Sequence, residues 1–343
     1  MPGPFVRAWI SLVLAAMACQ GSGIPYLDVE PDWSGEIMDV AIADGMHVCE
    51  GDLVALDVHA AFVADAIGSP DRRVLYYWTN FEEVRHYCPI GAGCAHPEGA
   101  IGTSYSTGLH EAAHVLAGHL GRSRPLWEEG LAEAFMPSPA YKGNHHPAAM
   151  LGQEALGGLS YPQAGHFFRW LWLDEPERAL DLYAETGMLD DDARALAIFE
   201  RVMGESLVDV GDVYLAGAPR ELPSLRNGEE SVLAWTDGEW RHTLEMDCDR
   251  PDTQAYGEWV MRTAFIDIET PGQYEVMSFD ARFEIRSLNR TAGAALHWRT
   301  IGVGRLDLDA GRYQIVLQAE ASESIEAVVV VRPTLLTQPT LPD

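Results

Sequence analysis

The chain of 343 residues carries 52 acidic against 23 basic side chains, a net charge of −29, and 47% hydrophobic residues. The apolar share excludes disorder as the main state, and the charge excludes recognition of nucleic acid or an anionic membrane through a basic patch. One core rarely serves a chain of this length, so two domains are expected.

Residues 1–18 read as a leader. Arg7 supplies the positive start, Ala8 to Ala16 (AWISLVLAA) is apolar but too short to span a bilayer, and Ala16-Met17-Ala18 offers the small residues of a cleavage site. Export is the expected fate. Cys19 follows the cleavage point directly, which resembles the lipidated cysteine of bacterial lipoproteins, although Ala16 stands where those signals usually carry Leu. That resemblance implies a lipid anchor at Cys19 in a bacterial envelope, at the outer membrane or in the periplasm, with plain secretion as the alternative. Membrane contact is expected only through this anchor, because no later stretch is apolar for long enough. Setting Cys19 aside leaves Cys49, Cys88, Cys94 and Cys248, an even set suited to disulfides whose pairing the sequence leaves open.

Residues 19–35 read as a Gly/Pro-containing tether. Alternation over Glu36–Val48 predicts a strand, helical spacing over Gly51–Ile67 a helix, and the aromatic run Arg73–Thr79 a buried strand. Cys88 to Cys94 is a Gly-rich loop whose ends are close enough in sequence to be clipped together. From Thr107 to about Ala216 the pattern is helical. Aromatics Phe167, Phe168, Trp170 and Trp172 fall at core spacing, and Asp190-Asp191-Asp192 begins a helix. Beyond residue 225 come about seven short alternating segments with turn signals at Pro271-Gly272 and Ala310-Gly311, which predict a β-sandwich. The expected division is 36–224 and 225–343. Asn289-Arg290-Thr291 matches a glycosylation sequon, which carries little meaning under the bacterial source that the lipoprotein resemblance implies.

His110-Glu111-Ala112-Ala113-His114 is the H-E-x-x-H pattern. On a helix, positions i and i+4 share a face, so both imidazoles reach one metal ion while Glu111 turns aside toward a water held there. Ser106 or Thr107 is the expected N-cap and Gly121 the residue past the C-terminus. Three residues compete for the role of third ligand. His119 is out of register with the extended H-E-x-x-H-x-x-G-x-x-H motif, since Ala117 and Leu120 occupy its Gly and His positions, and its expected role is at the helix end. The others lie in Pro125-Leu126-Trp127-Glu128-Glu129-Gly130-Leu131-Ala132-Glu133. Antiparallel return of that second helix brings Glu129 to the metal and leaves Glu133 one turn further on, placed to accept the outer N–H of a ligating His.

H-E-x-x-H followed by a helix reading W-x-E-G-L-A-E resembles the gluzincin metallopeptidases over residues 105–185. The resemblance implies an α+β, zincin-like and mostly helical metallopeptidase domain, with Glu129 as third zinc ligand and Glu133 as its neighbour's support. Two departures stand out: Trp127 lies two before Glu129 where many gluzincins have it three before, and only fourteen residues separate His114 from Glu129. Glu133, eighteen residues on, fits aminopeptidase spacing by count. Two His and one Glu leave a fourth position for water, as catalytic zinc sites do. Glu111 is then the general base that passes the proton to the leaving amine, acting on a peptide or protein substrate. A further donor to the oxyanion is Tyr or His in related enzymes, which makes Tyr161 and His166 the first candidates and His145 and His146 the next. The competing expectation is a non-catalytic envelope lipoprotein with a vestigial or structural zinc site, whose β-sandwich binds a partner.

Overall fold

The computed structural model describes residues 29–334 apart from 70–72, 89–90, 97–98, 138–139, 154–157, 223–224, 226–231, 257–258, 288–297 and 321–324. The leader, Cys19 and the sequon at Asn289 lie outside the described residues. The chain is of mixed α and β structure.

Its first half is built on a five-stranded sheet in the order β1-β2-β3-β5-β4. β1 (Trp33–Ser34) runs antiparallel to β2 (Met38–Ile42), β2 is parallel to β3 (Val74–Trp78) and β3 to β5 (Gly99–Gly102), and β4 (Gly93–His96) closes the edge antiparallel. Two expectations need correction here. The tether ends earlier than residue 35, because Trp33 and Ser34 pair with Val40 and Asp39. The strand expected to reach Val48 stops at Ile42, where the chain turns through Gly45 at a φ of 79°.

Side chains alternate across these strands, and both faces are covered. Met38, Val40, Val74 and Tyr76 face a large core shared with α1 (Glu50–Ala66), through Leu53, Leu56, Ala60 and Val63, and with α3 (Tyr105–Ala117), through Leu109, Ala112, Ala113 and Leu116. Ala41, Tyr77 and Ile101 face the other way, toward Val84 of α2 (Phe81–Tyr87). Next in the chain are a 3-10 turn (Gly118–Leu120), α4 (Pro125–Phe135), β6 (Ala140–Tyr141), α5 (Pro147–Met150), α6 (Tyr161–Asp174), α7 (Pro176–Glu185), α8 (Asp192–Met203), α9 (Leu207–Gly217) and β7 (Glu221–Leu222). Trp127, Phe167 and Phe168 are buried in the same core, which Trp170 and Trp172 flank. Asp191 N-caps α8 by accepting Arg194 N–H.

α4 and α6 approach each other closely through two glycines. A methyl group on Gly165 would overlap Glu133 Cβ and lie 3.0 Å from the Glu133 carbonyl carbon, and one on Gly130 would sit 3.2 Å from the Ala164 carbonyl oxygen. Arg169, itself fully buried, donates to the carbonyls of Ala134 (2.7 Å) and Met136 (2.8 Å) and so holds the C-terminal end of α4.

The second half is an antiparallel sheet of eight strands: β8 (Trp235–Thr236), β9 (Glu239–Met246), β10 (Gln254–Tyr256), β11 (Trp259–Ile268), β12 (Gly272–Ser287), β13 (Trp298–Leu308), β14 (Gly311–Glu320) and β15 (Ile325–Pro333). It differs from two separate sheets. β12 pairs with β13 along one side, while its other side pairs with β15 over 274–279 and with β14 over 282–287. The break falls at the register shift between Ser278 and Phe283. The sheet thus forks at β12 into two leaves, and Val276, Phe283, Ile285, Ile315, Leu317, Val329 and Val331 enclose a second core between them.

The lobes meet at a disulfide between Cys49, the residue before α1, and Cys248, just after β9. A second disulfide, Cys88–Cys94, closes the loop before β4. No described helix is long and apolar enough to cross a membrane.

Candidate metal centre

α3 starts two or three residues earlier than expected, with Ser104 as N-cap accepting Thr107 N–H at 3.3 Å. Its apolar residues Leu109, Ala112, Ala113 and Leu116 anchor one side in the core, which leaves His110 and His114 together on the other. α4 follows within eight residues of α3, its first turn set by Pro125, and returns beside α3. This brings three donor atoms to one point. His110 Nε2 and His114 Nε2 are 3.1 Å apart, and Glu129 Oε2 is 3.1 Å from the first and 3.3 Å from the second.

The triangle fits a metal ion. Nitrogen and oxygen ligands at bond lengths of about 2.0–2.1 Å around a tetrahedral zinc lie about 3.3–3.4 Å from one another. The three atoms match that spacing with only a few tenths of an ångström of adjustment. The side chains are 12%, 9% and 14% exposed for His110, His114 and Glu129, so the cluster is largely buried while each member keeps some exposure.

Electrostatics point the same way. Burial disfavours a charge on His110, yet hydrogen bonding to Glu129 and Glu133 outweighs it and pushes the imidazole up to about 10. The Glu129 carboxyl, also penalised by burial, is held far below the ordinary carboxylate range by His110 and His114. In the metal-free chain a proton on His110 balances the carboxylates, and a divalent cation takes over that role on binding.

Behind His110 stands Glu133, with its Oε1 3.0 Å from His110 Nδ1. That contact fixes the tautomer which leaves Nε2 free to ligate. His114 Nδ1 is buried with no hydrogen-bond partner among the described residues. Glu128, the carboxylate next to Glu129 in sequence, is turned away: it ion-pairs with Arg122 Nε at 2.5 Å and accepts Ser123 N–H at 3.2 Å. Glu111 lies between α3 and the edge strand, where a methyl group on Gly93 would be 3.3 Å from its Cγ. Burial raises its pKa, the direction that suits a general base.

The two candidate oxyanion donors part company. Tyr161 stacks on His110, with ring centroids 5.9 Å apart and planes 2° from parallel. Its hydroxyl is kept protonated by burial and by the Glu129 carboxylate. His166 is not part of the cluster. Five residues after Tyr161 on α6, it lies on the far side of the helix, fully buried, and shares a 2.9 Å hydrogen bond between Nδ1 and the Tyr214 hydroxyl. Burial pushes its imidazole down to about 4. His146 is also elsewhere, accepting Ala148 N–H at the start of α5, and the His145 backbone is bonded to Gln163. His119 Nδ1 bonds the Leu116 carbonyl at 2.9 Å, a contact at the end of α3.

Sequence reasoning placed Gly130 in the W-x-E-G-L-A-E motif but announced no packing role for it, for Gly165 or for Arg169, which bring α4 against α6 and hold its end. Glycines in both helices were the available signal, since each weakens an isolated helix and is retained where backbones approach closely.

No protein-family model and no curated protein matches the sequence. Among solved structures, the chain is similar to the periplasmic g-type lysozyme inhibitor PliG of Aeromonas hydrophila at 12% identity, covering 30% of this chain and 93% of that one, with a TM-score of 0.21. A CENP-C domain of Drosophila melanogaster gives 9% identity over 31% of this chain and 78% of that one, with a TM-score of 0.18. Hydroxypropylphosphonic acid epoxidase of S. wedmorenis gives 11% over 62% and 98%, with a TM-score of 0.16. Likeness at this level carries no argument about fold or activity.

Proposed function

We propose that the chain is a zinc-dependent peptidase of the gluzincin type, with a zincin-like domain over 36–224 and an appended β-domain over 225–343. The observation that carries this reading is the convergence of His110 Nε2, His114 Nε2 and Glu129 Oε2 within 3.1–3.3 Å, with Glu133 behind His110. His110, His114 and Glu129 hold the ion, which when bound supplies Lewis acidity to the scissile carbonyl and to the attacking water.

The remaining work falls to the chain's own groups. Glu111 takes the proton of the attacking water on a carboxylate oxygen and delivers it to the leaving amine nitrogen. Tyr161 donates its hydroxyl hydrogen to the carbonyl oxygen as negative charge develops there. Glu133 keeps His110 in its ligating tautomer. β4 ends the strand order of its sheet, and Gly93 to Ala95 on it offer backbone N–H and C=O groups to an extended peptide beside Glu111. The net charge of −29 favours encounter with neutral or cationic peptides.

Two disulfides support export to an oxidising compartment, as the leader and Cys19 imply. The test is Glu111→Gln: zinc content equal to wild type with peptide hydrolysis lowered at least about a hundredfold, the lower range for removing a general base. Full activity in that variant overturns the mechanism, and a wild type that binds zinc yet cleaves no peptide in a broad substrate library favours the binding-protein alternative.

A further inference from the structure

A second group of metal-ligating atoms lies at the seam between the lobes, and the proposed hydrolysis makes no use of it. Cys248 Sγ, bonded to Cys49 Sγ in the disulfide, is 3.7 Å from His47 Nε2 and 3.9 Å from His47 Nδ1. One donor atom from each of His47, Cys49 and Cys248 falls within 4.8 Å of the others. We propose that reduction of the Cys49–Cys248 bond turns this seam into a site for a thiophilic divalent ion such as Zn2+, held by two thiolates and the His47 imidazole. Disulfide and metal are then alternative states of the same three residues.

The spacing fits. Bond lengths of about 2.3 Å to sulfur and about 2.0 Å to nitrogen put tetrahedral S and N ligands about 3.6 Å apart, close to the Cys248–His47 separation. Two sulfurs on the same ion sit about 3.8 Å apart, a small parting once the covalent bond is cut. Two thiolates and one imidazole leave a fourth position to water.

The seam keeps these atoms together without the disulfide. Glu50 N–H donates to the Cys248 carbonyl at 3.0 Å, and Ala255 N–H donates to Asp52 Oδ2 at 3.0 Å. Gly51 packs flush on the Thr253 backbone, where any Cβ would overlap the Thr253 carbonyl. Each contact joins α1 to the β-lobe and survives reduction.

The surroundings favour a cation bound to thiolates. Cys49 sits at the N-terminus of the 17-residue α1, where the aligned peptide dipoles favour negative charge. Asp52 is 1% exposed, its Oδ2 accepts the Cys49 and Ala255 N–H groups, and its Oδ1 has no hydrogen-bond partner among the described residues. Cys49 is fully buried, Cys248 half-buried and His47 exposed, which gives reductant and ion access from the His47 side.

The chemistry balances with a water-soluble trialkylphosphine as reductant. The phosphine takes the oxygen of one water to become its oxide, the S–S bond gains two electrons and two protons to give two thiols, and the metal then displaces both thiol protons. The probe is Co2+ titrated into the full chain before and after phosphine treatment, followed by the sulfur-to-cobalt charge-transfer absorption. Cobalt at His110, His114 and Glu129 meets no sulfur and gives no such band, so the result does not depend on the peptidase reading.

Reduced wild type is expected to show the band, saturating at about one cobalt beyond what the unreduced chain binds, and the unreduced chain none. His47→Ala, an exposed change that leaves the fold intact, weakens binding at least about tenfold, and Cys248→Ser abolishes the band. Zn2+ added afterward displaces the cobalt and bleaches it. A reduced chain with no thiolate band, a band that survives Cys248→Ser, or loss of native circular dichroism on reduction alone overturns the proposal, the last because the seam contacts must hold the thiols in place.

Discussion

Glu133 Oε1 stands 3.0 Å from His110 Nδ1, on the opposite side of the ring from the Nε2 atom that lies 3.1 Å from Glu129 Oε2. The two carboxylates come from one helix, one turn apart, and address the two nitrogens of one imidazole. They therefore do different work. Replacing Glu129 by Ala removes a donor atom and is expected to abolish stoichiometric zinc binding. Glu133→Ala leaves all three donors in place and is expected to weaken zinc about 10–100-fold, the range for losing a partner to a ligating histidine. Competition with a chromophoric chelator measures both. Equal losses in the two variants contradict the division of roles.

The crossing of α4 and α6 makes a second, less direct prediction. A methyl group on Gly165 meets Glu133 Cβ and backbone, so Gly165→Ala pushes the ligand helix away from its seat. The expected cost is about 1–3 kcal/mol of stability, as for other overpacked sites, with weaker zinc binding alongside. Gly217→Ala, with nothing within 4 Å of the added methyl, serves as the control and changes neither. Denaturant melts and zinc competition on the pair read the difference.

His166 links stability to pH. Burial lowers its folded pKa from 6.5 to about 4, so the folded state resists the proton that the unfolded state accepts. Its contribution is complete above pH 6.5 and is lost as pH falls from there toward 4. A shift of this size corresponds to at most about 3 kcal/mol. Unfolding free energies of wild type and His166→Gln between pH 4 and 7 should converge at the acid end, with the wild type showing the steeper loss. Parallel profiles contradict the buried, neutral imidazole.

What the sequence made legible was local. His110, Glu111 and His114 lie within five residues, and helix periodicity alone puts the two imidazoles on one face. Glu129 and Glu133 were legible one step further out, because Gly121 and Pro125 mark a short connection that returns the next helix. Where phase along a longer helix decided, reading failed: Tyr161 and His166 are both plausible chemistry in one segment, yet only Tyr161 turns to His110.

Non-local features were silent. The pairing of Cys49 with Cys248 spans 199 residues and depends on how the lobes meet. The fork in β12 depends on a register shift that two other strands exploit, and no alternation pattern within residues 272–287 announces it. The glycine contacts between α4 and α6 likewise exist only once both helices are packed.

The metal centre is decided by elemental analysis of the purified chain, for wild type and Glu129→Ala offered zinc under the same conditions. The wild type with its disulfides intact is expected to hold about one zinc per chain, and Glu129→Ala none when both fold alike. A folded wild type that takes up no zinc, or a Glu129→Ala variant that keeps its full share, contradicts it.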